Sequence, residues 1–260
     1  MNYVIQDKFK VKTNHGSKGC QIKYFRNNYW YKLDTSCNEG KNEHIVSLIL
    51  KCSTIKDFVY YEACTVNNRK ACRSYNFLNE NEMLITLSDL ISTLTGNNNP
   101  ENVIWQINDI RKRFEFIVNA VKKYTNNSLD ITDYLKTILY LDLFILNRDR
   151  HLNNLGIIVD VTTNKYRTAP IFDNGLSLLG GCQSDVFENG IEYAINSQNS
   201  KTISGSFINQ ILACSNGKIE CPFKINFKKL DRELRNDTNL TALHKIVLKY
   251  QYESVGKIYK

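Results

Sequence analysis

Asn147-Arg148-Asp149-Arg150-His151-Leu152-Asn153-Asn154-Leu155-Gly156, followed by Ala169-Pro170-Ile171-Phe172-Asp173-Asn174-Gly175, is the stretch on which the reading of this chain turns. Each segment follows an apolar run, so two carboxylates and an Asn amide are set on loops behind elements expected to be buried. That is the layout of a Mg-dependent phosphoryl-transfer centre. Such a reaction asks little covalent chemistry of the protein. It needs a carboxylate beside the acceptor hydroxyl and oxygen ligands that hold Mg against nucleotide phosphates. Asp149 is the candidate for the first role, and Asn154 and Asp173 are the candidates for the second. A carboxylate and an amide oxygen suit Mg, a hard cation that keeps waters and substrate phosphates in its shell.

Spacing carries most of the weight. Asp149 precedes Asn154 by five residues, the interval between the catalytic Asp and the metal-binding Asn of protein kinases, and Asp173 comes after an intervening hairpin. The His follows the Asp, as Asp149-Arg150-His151, instead of preceding it. That order resembles two atypical branches of the kinase fold, the HipA-like kinases and the phosphoinositide kinases. A chance cluster of Asp, His and Asn in an Asn-rich chain would have no reason to keep both halves in order.

A kinase requires an ATP-gripping lobe before about residue 100. Residues 14–24 read as a Gly-containing turn between two strand-like runs, with Gly16, Ser17, Lys18 and Gly19 placed so that backbone N–H groups can approach a phosphate. Tyr29-Trp30-Tyr31-Lys32-Leu33-Asp34 alternates like a strand, and Lys32 is the candidate phosphate-contacting lysine. Residues 39–50 open a helix with an apolar stripe whose first turn carries Glu43, the candidate partner of Lys32. A hairpin is expected around Asn67-Asn68. The connector from Ser74 through Tyr75, Asn76 and Phe77 to Asn79 is the expected hinge whose backbone meets adenine. Singly, a Gly pair is an ordinary hairpin and a Lys or Glu an ordinary surface residue. Their order joins them.

The run from Gly16 through Lys32 and Glu43 to Asp149, His151, Asn154 and Asp173 resembles a HipA-like Ser/Thr protein kinase, most similar to the short, cell-translocating form of that family. The resemblance spans most of residues 10–180 and is strongest over 146–178. It implies an α+β, bilobal protein-kinase-like fold, with a small β-rich N-terminal lobe and a larger, mainly helical C-terminal lobe. It implies ATP and Mg as cofactors and Ser/Thr phosphorylation, often including autophosphorylation. By position, Asp149 would be the catalytic aspartate, Asn154 and Asp173 the metal ligands, and Lys32 and Glu43 the phosphate-contacting ion pair. His151 would hold the catalytic loop or lie near the transferred phosphate, and Ser17 is a candidate for regulatory autophosphorylation, since added charge there would repel the nucleotide. Asn174 stands where many kinases have the Phe of a regulatory switch, so no such switch is expected.

Composition agrees with an ordinary domain. At 260 residues and 42% hydrophobic the chain can bury a sizeable core. Gly96-Asn97-Asn98-Asn99-Pro100 is its clearest break, giving expected lobes of 1–95 and 96–260. The eight cysteines include no C-x-x-C pair, so zinc is not expected, and Met1-Asn2-Tyr3-Val4-Ile5-Gln6 reads as no signal peptide, which points to the cytoplasm. The apolar run 138–146 contains Asp142 and is far too short to span a bilayer. It reads as the buried helix that delivers the catalytic loop.

A net charge of +8 admits a nucleic-acid reading, but two of the three basic clusters fall on one expected helix, residues 102–124, whose apolar positions recur at helical spacing. Its charges then occupy the outer face, and direct nucleic-acid binding is not expected. Residues 180–206, polar and rich in Asn and Ser, read as an activation segment or substrate-contacting loop, and 227–252 as helical around a break at Asn236-Asp237. Two other classes stay open: a phosphoinositide or small-molecule kinase, which would share the Asp149-x-His151-x-x-Asn154 pattern, and a non-catalytic kinase-fold binding module.

Overall fold

Two pairs of adjacent asparagines turn the N-terminal half into a sheet. Asn27 and Asn28 (φ 51° and 62°) and Asn67 and Asn68 (φ 50° and 63°) take positive φ at both positions. That is the backbone of a two-residue type I′ turn, which Asn adopts more readily than other residues with a side chain. The first turn joins β2 (Lys23–Arg26) to β3 (Tyr29–Leu33), and the second joins β4 (Tyr61–Val66) to β5 (Arg69–Tyr75). The computed structural model describes residues 1–11, 21–35, 37–215 and 217–260. With β1 (Asn2–Tyr3) the sheet runs β1-β4-β5-β3-β2, parallel at β1/β4 and antiparallel elsewhere.

Helix α1 (Glu39–Lys51) lies against β4 and β5 and is buried from Asn42 to Leu50. Close approach is what Gly40 permits: a Cβ there would stand 2.6 Å from the Ala71 carbonyl oxygen on β5. The other side of α1 enters the main core with Ile45, Leu48 and Ile49, so one helix joins the sheet to the rest of the molecule.

A second sheet, β6 (Glu82–Thr86), β7 (Gly156–Asp160) and β8 (Lys165–Thr168), is antiparallel in that order. Helix α2 (Leu87–Thr95) starts on Thr86, whose side chain accepts from the Asp89 N–H. At the centre stands α5 (Thr132–Ile145), buried without interruption from Ile138 to Ile145, as a helix apolar on every side must be. Around it pack α4 (Ile110–Tyr124), α8 (Phe207–Cys214), α9 (Phe227–Arg235) and α10 (Ala242–Ser254). Among the described residues, no helix is long and apolar enough to cross a membrane.

Three expectations are corrected. The single helix over 102–124 is two, α3 (Pro100–Trp105) and α4, because Asp109 caps a new start by accepting from the Lys112 N–H at 2.9 Å. The segment 180–206 is not all loop, since it contains α6 (Gln183–Asn189) and α7 (Ile191–Asn196). Strand β6 and helix α2 precede the Gly96–Pro100 break, yet β6 pairs with β7 and α2 packs on α4.

Replacing Gly40 with Ala should force α1 away from β5 and destabilise the protein by about 1–3 kcal/mol, the usual range for an inserted methyl with no room. Urea denaturation of the variant beside the parent measures it.

Candidate active site

Helix α5 ends at Leu146, a buried residue in the left-handed region (φ 55°) that a bulky side chain rarely enters. The turn aims the chain into 147–154, and that loop is closed by its own hydrogen bonds. Asn147 Oδ1 accepts from the Asp149 N–H at 3.0 Å, the Asp149 carbonyl accepts from the His151 N–H at 2.8 Å, and the Asn154 amide nitrogen donates to the same carbonyl at 3.0 Å. Leu152 and Leu155 are buried and fix the far end. Asp149 is left at the mouth with its carboxylate 28% exposed, and His151 Nε2 lies 3.7 Å from its Oδ2.

Between Asp149 and His151 sits Arg150, buried to 0%, and it ties four segments together. Its guanidinium holds Asp142 of α5 through Nε and Nη2 at 3.1–3.2 Å, and donates to the Phe172 carbonyl at 2.6 Å and to Asn174 Oδ1 at 2.5 Å. Its own carbonyl accepts from Thr202 Oγ1 at 2.8 Å. Burial pushes the Asp142 carboxyl up, to about 6, against the pull of Arg150. The pair is nonetheless ionised, because arginine does not deprotonate and a guanidinium left uncompensated in the core costs several kcal/mol.

Arg150 thereby fixes the Phe172-Asp173-Asn174 segment, and Asp173 takes a left-handed turn (φ 59°) that brings its carboxylate to Lys32. Lys32 Nζ lies 3.0 Å from Asp173 Oδ1 and 3.4 Å from Glu43 Oε1, while the other oxygen of Glu43 accepts from the Asn174 N–H at 2.9 Å. Burial works against ionised Asp173, but Lys32, then Lys23, hold its carboxyl down at about 2. For Glu43, 2% exposed, burial wins over Lys32 and raises the carboxyl to about 7. Tyr61 completes the cluster, with its hydroxyl 3.4 Å from Lys32 Nζ and accepting from the Asp173 N–H at 3.4 Å.

These groups face one cleft of about 700 Å³, shared by Lys32, Glu43, Asp149, His151, Asn154 and Asp173. Its apolar end is a slot in which Phe77 stacks on Phe172, with ring centres 5.7 Å apart, beside Leu78 and Leu84. Asn76 lines the slot but is spent on structure: its Oδ1 accepts from Trp30 Nε1 at 3.1 Å and its amide donates to the Leu78 carbonyl at 3.1 Å. Tyr75 was expected to contribute backbone, and its side chain points away from the cleft. It is 58% exposed and packs edge-on against Tyr29 outside the cleft, because strand alternation turns it away from its neighbours Ser74 and Asn76. Gly16, Ser17, Lys18 and Gly19 lie outside the described residues.

As a metal site the donor set fits Mg. Asn154 commits its amide nitrogen to the loop, which leaves an oxygen to pair with the Asp173 carboxylate, two hard ligands of the kind that Mg completes with water and phosphate. Among the described residues no group of three or more His, Cys, Asp and Glu is arranged to hold a metal by itself.

Sequence reasoning did not name Arg150, Tyr61, Lys23 or Lys201 as part of the site. Lys23 stands opposite Lys32 in the β2/β3 register and lines the cleft, and Lys201 Nζ donates to Asp149 Oδ1 at 2.6 Å. One signal for Arg150 was available: Asp142, the one carboxylate in the apolar run 138–146, demands a buried cation.

No family model matches the sequence, and no curated protein matches it. Its structure does have counterparts. The proinflammatory kinase CtkA of Helicobacter pylori superposes with a TM-score of 0.65 over 92% of each chain, at 16% sequence identity. The chain has a CtkA-like kinase fold. A chain of the HipA–HipB toxin–antitoxin complex with operator DNA from Shewanella oneidensis MR-1 superposes over 98% of this chain and 68% of its own length, with a TM-score of 0.49 and 12% identity.

Replacing Arg150 with Met should strand Asp142 in the core and cost about 3–5 kcal/mol, the range for breaking one side of a buried ion pair. The double variant with Asp142→Leu should recover much of that loss, and urea denaturation of the three proteins measures both effects.

Proposed function

We propose that this chain is a protein kinase that transfers the γ-phosphoryl group of ATP, with Mg, to Ser or Thr hydroxyls, its own included. The observation that supports the reading is the meeting of Lys32, Glu43, Asp149, Asn154 and Asp173, drawn from across the sequence, in one cleft with an apolar slot at its far end. A scaffold has no chemical use for that set. The apolar wall formed by Phe77, Phe172, Leu78 and Leu84 suits a purine ring, and Lys32, steadied by Glu43, presents its ammonium where phosphates would follow. Asn154 and Asp173 would hold Mg, which neutralises the phosphate charge when bound. Asp149 would orient the acceptor hydroxyl and take its proton, and His151, through its backbone bond to the Asp149 carbonyl, keeps that loop in shape.

Incubation with Mg and γ-labelled ATP, followed by phosphopeptide mapping, tests this. Label on Ser or Thr is expected with the parent and absent with Asp149→Asn. That variant should lose about 100-fold or more in turnover, as removal of a general base does, while still binding ATP. Asp173→Asn should weaken both turnover and Mg-dependent ATP binding. If ATP binds with Mg but labels only lipid or small-molecule acceptors, the acceptor assignment is wrong. If ATP does not bind, the enzyme reading fails.

Glu43 adds a pH dependence. With its carboxyl raised to about 7, the group is protonated and uncharged below that pH and pairs fully with Lys32 above it. Turnover of MgATP at subsaturating nucleotide should therefore rise through about pH 7, and Glu43→Gln should remove that inflection from the pH–rate profile.

A further inference from the structure

Residues 200–204 run past the catalytic loop as a tethered strap. Ser200, Thr202, Ile203 and Ser204 are all buried. Thr202 Oγ1 donates to the Arg150 carbonyl at 2.8 Å, the Ile203 N–H donates to Gln210 Oε1 at 2.9 Å, and Arg113 Nη1 donates to the Ile203 carbonyl at 3.0 Å. Ser200 Oγ closes the turn on the Ser204 carbonyl. Lys201 alone leaves the strap: its side chain is 54% exposed, and its ammonium sits 2.6 Å from Asp149 Oδ1.

Stability does not account for this contact. A half-exposed ion pair on a flexible lysine is worth from nothing to about 1 kcal/mol. The neighbours of Lys201 are nonetheless fixed by bonds from the catalytic loop itself, from α4 and from α8, so the backbone delivers the ammonium to one place. That place is the carboxylate that faces the acceptor. At the other end of the catalytic group, Lys32 sits on Asp173. Two lysines thus bracket the path from nucleotide to acceptor, one on each carboxylate.

We propose that Lys201 is a catalytic residue whose ammonium holds the oxygens of the phosphoryl group in flight; the proposal rests on the reading of this site as a kinase. In transfer, the bond from Pγ to the ADP oxygen breaks as the bond from the acceptor oxygen to Pγ forms, and the hydroxyl proton passes to Asp149. Negative charge spreads over the three equatorial oxygens of the moving group. Lys201 donates hydrogen bonds to them and exchanges no proton. Because the strap anchors its backbone, Lys201 stays within reach of that charge as it develops, and a donor already in place contributes most. Held in this way, the strap is both a cover over Arg150 and the carrier of the second lysine.

The test compares parent, Lys201→Met and Lys201→Arg in turnover of γ-labelled MgATP, both to the chain itself and to water. ATP affinity and thermal unfolding are measured on the same samples. Lys201→Met should lower kcat about 100-fold, the loss typical of one transition-state donor, with ATP affinity changed less than about 2-fold and the unfolding midpoint unchanged. Lys201→Arg should keep the charge and recover most of the turnover. Unchanged or raised turnover in Lys201→Met, beside an active parent, overturns this assignment alone, and a raised rate would mean that the lysine blocks Asp149. Equal loss in both variants with a lowered midpoint also overturns it, in favour of a structural role. A parent that binds MgATP but transfers no label to any acceptor, or that does not bind it, overturns the kinase reading and this assignment with it.

Discussion

The ion pair between Arg150 and Asp142 is the constraint on which the rest of the site depends. A guanidinium cannot shed its proton, so once it is inside the core every donor must find an acceptor. The acceptors it finds belong to the end of α5, to the segment that carries Asp173 and to the side chain of Asn174. One charge therefore fixes the 147–154 loop and the 172–174 segment relative to each other. The residue flanked by Asp149 and His151 in sequence is the residue that points inward, and its two neighbours are thereby turned toward the cleft.

A second set of contacts ties α1 to the same frame. Glu43 takes Lys32 on one oxygen and the Asn174 N–H on the other. The residue before it, Asn42, donates to the Gly175 carbonyl at 2.7 Å and accepts from His244 Nε2 at 2.8 Å. His244 is kept neutral, its pKa lowered to about 4 by burial and then by Lys41. Its Nδ1 can therefore accept from the Thr241 N–H at 3.2 Å, while Nε2 carries the proton that Asn42 receives. Farther along α10, Gln251 donates to the Leu143 and Phe144 carbonyls at 2.7 and 2.9 Å, groups that the end of α5 leaves without helical partners. The C-terminal helices thus brace both α1 and the end of α5 from which the 147–154 loop departs. Asn174, where a Phe would make an apolar contact, instead joins Arg150 to Glu43 through its side chain and its backbone.

How much of this was legible depends on the range of the interaction. The hairpin at Asn67-Asn68, the α1 helix that carries Glu43, and the buried run ending at Leu146 follow from turn chemistry and apolar periodicity within about a dozen residues. The split of 102–124 into two helices was missed because apolar spacing continued across Gln106–Asp109, and a single Asp cap outweighed it.

By itself the sequence set Asp149 and Asn154 on one loop and Asp173 on a second beyond a hairpin, because local spacing fixes which side chains share a loop, and the resemblance those residues carry implied the α+β, kinase-like architecture. Tertiary structure alone decided that Arg150 would be the buried staple, that Tyr61 would join Lys32 and Asp173, that α10 would cap α5, and that Lys201 would reach Asp149. Each of these contacts crosses the chain or depends on burial. Distance along the sequence carries no information about either, so apart from the hint of a buried cation given by Asp142 no local pattern announces them.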